Sequence, residues 1–439
     1  MNPRPLRAVL AALVLAVLVT GLSVLRSKET AQTPVAVTGA QSLVCPVTDP
    51  TVLSTTVRAA AVSQVKGRVV GTTDARAVPA AGAVGPGDPY VVTGDQSLAG
   101  LSTAGTASGP LKGLWAGGCA APTVEQTFPG LVSDATRRAT LVITNPDPRQ
   151  ATVDVTLLGR TGRVQAPGAR GIVVLGNSTR ALSLEPLVQS GDPLTAVVRT
   201  STGRVATYAR VEGPSGADWV STAASPAAVG VVTGVPGGDG PRTLVLANPG
   251  TRRATVSVEV LTADRTFVAA GADRVEVGAE STVSVPLEKA LLGEVVGLRV
   301  TSTQPVTAAV WASTAAEGGD LAVAAVRPAF AGRSVLPVTP DSVVVATNAG
   351  DTAAPVTLTL RDPSGGLRDA STTSIPPGTT QQLPLTGGGT VEIDSPSDGV
   401  RIALLVTKVG DVSGLGVVPL GPGGLAETSL TPRVDPGLA

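Results

Sequence analysis

Three stretches of this 439-residue chain are versions of one phrase, an apolar run closed by an asparagine turn and reopened by an alternating strand: LVITNPDPRQATVDVTLL, LVLANPGTRRATVSVEVL and VVVATNAGDTAAPVTLTL. Their asparagines, Asn145, Asn248 and Asn348, stand about 100 residues apart, a period that suits one immunoglobulin-sized sandwich per copy rather than a solenoid repeat. The asparagines are read as structural turn residues. The strand after each turn alternates: Val153, Val155 and Leu157 interleave with Thr152, Asp154 and Thr156, and Val256, Val258 and Val260 with Thr255, Ser257 and Glu259. One face is apolar and the other wet.

Two further elements recur. NSTRALSLEPL, AESTVSVPLEK and PGTTQQLPLTG each read as a polar turn and a half-buried strand, with Leu187, Leu287 or Leu385 in the core. TAVVRTSTGRVATYARV, VGLRVTSTQPVTAAVWAS and VEIDSPSDGVRIALLVTK each read as a hairpin bent at Gly203, Pro305 or Gly399. They run into GADWVSTA, GGDLAVAA and GDVSGLGVV, where Asp218, Asp320 and Asp411 recur. Short connections imply a stiff rod or a compact array.

Hydrophobic residues make up 43% of the chain but aromatic ones only 2%, so Val, Ala, Leu and Ile build the cores, and Val with Thr favours strands. The expected fold is all-β: tandem immunoglobulin-like β-sandwich modules after a single N-terminal transmembrane helix. The expected layout is tail, anchor and stalk over 1–40, a disulfide-containing β module over 41–121, repeats over 122–218, 219–320 and 321–425, and a frayed tail over 426–439. Thirty-three basic residues balance thirty-three acidic ones, which removes the positive field that nucleic-acid binders carry.

Arg4 and Arg7 precede Ala8 to Leu25, an uncharged run that as a helix is about 27 Å long, just enough to span a hydrocarbon core. Arg26 and Lys28 follow where a cleaved leader would show a small-residue site, so an uncleaved signal anchor is preferred over a secreted, processed form. The bulk of the chain is then extracytoplasmic, on a single-pass membrane protein.

The two cysteines, Cys45 and Cys119, most simply form one disulfide in an exported chain, tying the first strand of the N-terminal module to its last. Metal binding competes weakly, because a zinc site needs about four ligands and the chain has no histidine. Trp115, four residues before Cys119, is read as packing against the sulfur bridge.

The anchor, the cysteine pair, the segment GGCAAPTVEQTFPG and the LVITNP-type repeats together resemble an actinobacterial family known only as domain of unknown function 5719. The resemblance implies an envelope location and an association with surface glycan assembly, and it carries over no catalytic residue.

The absence of histidine excludes Ser-His-Asp and Cys-His catalysis. Ser63 and Lys66 match S-x-x-K, and Ser397-Asp398-Gly399 and Lys408-Val409-Gly410 approximate its companion motifs, but they fall on strands where that enzyme needs a helix. A paired-carboxylate glycosidase lacks aromatic platforms, and Trp219 and Trp311 read as packing residues. One aspartate per junction falls short of a calcium shell. GVPGGDG at 234–240 reads as an interdomain loop, and NST at 177–179 as a plain turn. No cofactor or metal is expected. The function expected is that of a non-enzymatic envelope scaffold that meets another envelope protein or a glycan; the alternative is an accessory that binds or modifies glycan.

Overall fold

Each repeated phrase folds as an arch. Arg138–Asn145 and Ala151–Gly159, Arg242–Asn248 and Ala254–Leu261, and Ser342–Asn348 and Ala354–Arg361 are paired within opposite sheets, so the asparagine turn carries the chain from one layer to the other. The structure, a computed structural model, describes residues 41–420 except 49–52, 62–63, 79–81, 84–88, 96, 110, 289, 292 and 316–318. The expected membrane segment Ala8 to Leu25, the stalk to residue 40 and the tail over 426–439 lie outside the described residues. Among the described residues no helix is long and apolar enough to cross a membrane. Their regular secondary structure is all strand apart from one 3-10 turn at Pro167–Ala169.

The strands fall into four groups, within 41–118, 125–220, 227–327 and 332–419, called here the first to fourth modules. Counted within each module, one layer has the order 1-6-3-4 and the other 5-2-7-8, with antiparallel neighbours throughout; in the third module a short pairing of the first strand with the eighth joins the two layers into one sheet. The fourth position is split into two short pieces in the second module (Gly162–Val164 and Ile172–Val174) and in the third (Thr266–Val268 and Val275–Val277). The first module keeps this order without carrying the asparagine phrase.

The cores lie between the two sheets. In the third module Leu244 and Leu246 of one layer meet Val256, Val258 and Leu298 of the other, all fully buried. Alternation is the cause: Val153, Val155 and Leu157 are buried while Thr152, Asp154 and Thr156 between them are half-exposed.

Four expectations are corrected. The hairpins at Gly203, Pro305 and Gly399 are crossovers: the strands on either side pair in different sheets. In the third module they are one continuous strand, Val296–Ser313, whose first half pairs in one layer and whose second half pairs in the other. Both halves are apolar and each needs its own sheet face, so the polar segment between them bends the chain across the sandwich rather than back on itself. The boundaries at 218 and 320 also move. Gly216–Val220 and Leu321–Arg327 pair with the preceding seventh strands, as the eighth strands of the second and third modules.

The core leucine of the second module is Leu184 rather than Leu187. Pairing of Asn145 with Ser178, Asn248 with Ser281 and Asn348 with Thr379 makes Leu184, Leu287 and Leu385 equivalent. Leu184 and Leu287 are fully buried, whereas Leu187 and Leu385 pack at core margins. Lastly, GVPGGDG joins Ala227–Val235 to Arg242–Asn248 inside the third module, so it is not an interdomain loop. Its carbonyls wrap Arg242: Nε donates to Pro236 O at 2.9 Å and Nη1 to Gly240 O at 2.8 Å, with further donations to Gly237, Pro241 and Ser313 carbonyls.

Candidate functional site

The eighth strands are Gly113–Gly118, Gly216–Val220, Leu321–Arg327 and Val412–Pro419; the first, second and fourth of these are edge strands, while the third also pairs at its end with the first strand of its own module, Val231 to Arg327 and Val232 to Val326. An unpaired edge is an association hazard, and here the four eighth strands cover one another. Each touches the eighth strand of the next module, and the last touches the first. Glycine permits the approach. A Cβ on Gly216, at φ +121°, would sit 3.0 Å from the Asp320 Cα, and one on Gly416 would sit 2.5 Å from the Ala116 Cβ.

Two of the three aspartates singled out in sequence lie on this axis. Asp320, 5% exposed, accepts the backbone N–H of Leu114 at 3.1 Å, of Leu321 at 2.9 Å and of Leu415 at 2.7 Å, which come from three modules. Asp218, 1% exposed, accepts Ala116 N–H at 3.1 Å and Trp219 N–H at 2.7 Å. Desolvation, and after it the charge of Asp320, holds the Asp218 carboxyl well above the usual carboxylate range. Desolvation also raises Asp320 to about 6, against the pull of its N–H donors and of Lys112. These carboxylates spend their lone pairs on backbone donors and act as staples between modules. Asp411 is exposed and stays apart.

Arg327 ends the eighth strand of the third module and repeats the device with opposite charge. It donates to Thr222 O of the second-module side at 2.6 Å and to Pro419 O of the fourth at 3.2 Å. Desolvation lowers its pKa to about 10.

Trp115 packs edge-to-face on Trp219, with ring centroids 5.3 Å apart. Both sit among Leu53, Ala104, Leu111, Tyr208 and Ala217, which corrects the expected packing against the sulfur bridge: the apolar seam between the first two modules takes the ring. Trp311 donates from Nε1 to Pro129 O at 3.1 Å across the second and third modules. Neither tryptophan seam was legible locally, because each partner lies about a hundred or more residues away.

Cys45, at the end of the first strand, and Cys119, just past the eighth, form a disulfide. Asn145, Asn248 and Asn348 are buried and make matching bonds. Each Oδ1 accepts the N–H two residues on, from Asp147, Gly250 or Gly350, and each Nδ2 donates to the carbonyl four residues on and to the fourth strand's Val174, Val277 or Ile375. Asn177 of the NST turn, at φ +51°, accepts from Arg68 of the first module at 2.9 Å. Of the S-x-x-K set, Ser63 lies outside the described residues, and Ser397 and Lys408 stand at opposite ends of Val400–Val409.

A recess with a volume of about 480 Å³ opens between the third and fourth modules, within the range of ligand sites. It is lined by Ala263, Gly293, Glu294, Val295, Thr380, Gln381 and Gln382. Gln381 Nε2 donates to Ala263 O at 2.7 Å and fixes one end. Glu294 is exposed and makes no ion pair among the described residues. The recess can take up polar donors and positive charge. Sequence reasoning missed it, since its walls come from separate loops and a strand.

A family model described as a family of unknown function (DUF5719) matches residues 69–386. No curated protein matches the chain. The crystal structure of Streptomyces avermitilis alpha-L-rhamnosidase complexed with L-rhamnose aligns over 87% of this chain and 54% of its own, at 10% identity and a TM-score of 0.15. This chain thus spans about half the length of that one, and the likeness carries no argument about either fold or activity.

Proposed function

We propose that this chain, which belongs to the family of unknown function DUF5719, is a non-enzymatic scaffold of the cell envelope, held in the membrane by Ala8 to Leu25 with its β modules outside. The modules are immunoglobulin-like in size and in their two-layer build, although their 1-6-3-4 and 5-2-7-8 orders differ from the ABED and CFG sheets of the constant-type immunoglobulin fold. One observation carries the reading: the two buried carboxylates, Asp218 and Asp320, are engaged by backbone N–H groups of neighbouring modules. Their chemistry is spent on holding modules together, and what is left to the exterior is surface. Affinity capture of the full-length protein from membranes tests this. A protein partner is the expected result; recovery of polysaccharide alone would overturn it. The second reading, an accessory that binds or modifies glycan, is favoured by the amides and carboxylate of the recess at Glu294, Gln381 and Gln382.

A further inference from the structure

We infer that the fifth strand of the fourth module, Thr379–Pro384, offers part of its edge to an extended peptide segment of a protein partner that carries a basic side chain. The inference rests on the scaffold reading above and names the chemistry of one contact in it.

The strand pairs on one side with Ser342–Asn348, in the register Thr347 to Thr380, Val345 to Gln382 and Val343 to Pro384. In an antiparallel ladder, successive residues turn their N–H and C=O groups alternately toward the partner strand and away from it. Thr380 turns away: its N–H donates to Thr262 O of the third module at 2.8 Å. Gln382, two residues on, therefore turns its own N–H and C=O outward as well. Pro384, the next in that phase, has no N–H to give.

The edge is thus covered at Thr380 by the third module, left open at Gln382 and closed at Pro384. The opening is the recess of about 480 Å³, whose opposite wall is Gly293, Glu294 and Val295. One residue of an added strand can exchange two backbone hydrogen bonds with Gln382, the mode by which exposed sheet edges capture extended peptides.

Charge and composition select the occupant. Glu294 stands on the wall without an ion pair among the described residues, and neither Lys nor Arg lines the recess. A lysine or arginine on the incoming segment complements it. No aromatic ring lines the recess, so the stacking platform that a sugar ring uses is missing there, which favours peptide over glycan.

The test uses full-length protein and a fluorescein-labelled peptide, Thr-Val-Lys-Val-Thr, followed by anisotropy. Three comparisons accompany it: the peptide with Glu in place of Lys, the peptide N-methylated at its central residue, and an unlabelled neutral oligosaccharide as competitor. The lysine peptide is expected to bind at least about tenfold tighter than the other two peptides, with no competition from the oligosaccharide. Gln382→Pro, which removes the outward N–H together with the side-chain amide but no ladder bond to Val345, is expected to weaken binding about tenfold. Glu294→Gln is expected to abolish the preference for lysine over glutamate. Absence of binding, equal affinity of the three peptides, or displacement by the oligosaccharide would overturn the inference. If Gln382→Pro proves unfolded, the N-methylated peptide and Glu294→Gln decide alone. A protein captured from membranes that the lysine peptide does not displace would remove this contact and leave the scaffold reading standing.

Discussion

Asp320 accepts the backbone N–H of Leu114, 206 residues earlier in the chain, with Oδ2 at 3.1 Å and Oδ1 at 3.2 Å. The bond fastens the start of the first module's eighth strand to the start of the third's. With the donation from Leu415 at 2.7 Å, one carboxylate joins three modules.

That carboxylate gives stability a pH dependence of definite sign. A folded carboxyl raised above its unfolded value binds more protons in the folded state, so its contribution is fully present below about pH 4 and is lost as pH rises through about 6. Asp218, also raised, adds a loss of the same sign. Urea unfolding is expected to show stability falling between pH 4 and pH 7, by about 3 kcal/mol from Asp320 alone at most. Asp320→Asn should flatten this slope. It should also cost about 1–3 kcal/mol at pH 5, because an amide N–H then faces backbone donors.

Gly130 has φ +94°, and a Cβ there would lie 2.1 Å from Trp311 Nε1. Gly130→Ala is expected to displace the indole, break its bond to Pro129 O, and cost about 2–4 kcal/mol. Tryptophan emission should shift to the red as Trp311 becomes wetter, with a parallel fall in the urea midpoint.

The arch asparagines make the same bonds in all three repeats, so one substitution should behave alike in each. Asn348→Asp replaces the amide that donates to Thr352 O and Ile375 O by an acceptor-only group. The expected cost is about 2–4 kcal/mol at neutral pH, and Asn145→Asp and Asn248→Asp should each fall in the same range by chemical denaturation.

Arg242, 2% exposed, satisfies carbonyls of Pro236, Gly240, Pro241 and Ser313 with one planar group. Lysine keeps the charge but has three donors and no fork. Arg242→Lys is expected to lower stability by about 2–3 kcal/mol and to increase amide exchange in residues 237–240, a change that mass-spectrometric exchange can locate.

Local signals in the sequence announce strands and turns but leave open which strand meets which. The phrase around Asn145, Asn248 and Asn348 is readable because most of its bonds close within a few residues, with one reaching the fourth strand of the same module. The segment containing Pro305 is misread as a hairpin because polar residues mark a bend without saying whether the chain reverses or changes layer. Choosing Leu187 over Leu184 is a slip of register, corrected only by the pairing of Asn145 with Ser178. The first module's kinship with the others is carried by its strand order and by no shared motif. Gly216 and Gly416 acquire meaning only beside Asp320 and Ala116, on strands the sequence places far away, and the recess beside Gln382 is likewise assembled from distant loops.

The mutual covering of the four eighth strands also limits how such a chain can change. An open row of repeats can gain or lose a copy at its end and leave the rest intact. Here the fourth module returns to the first, so removing either would uncover two eighth strands at once, and inserting a fifth would have to pry apart a circuit already complete. Each of the four modules therefore depends on two others for the cover of its eighth strand.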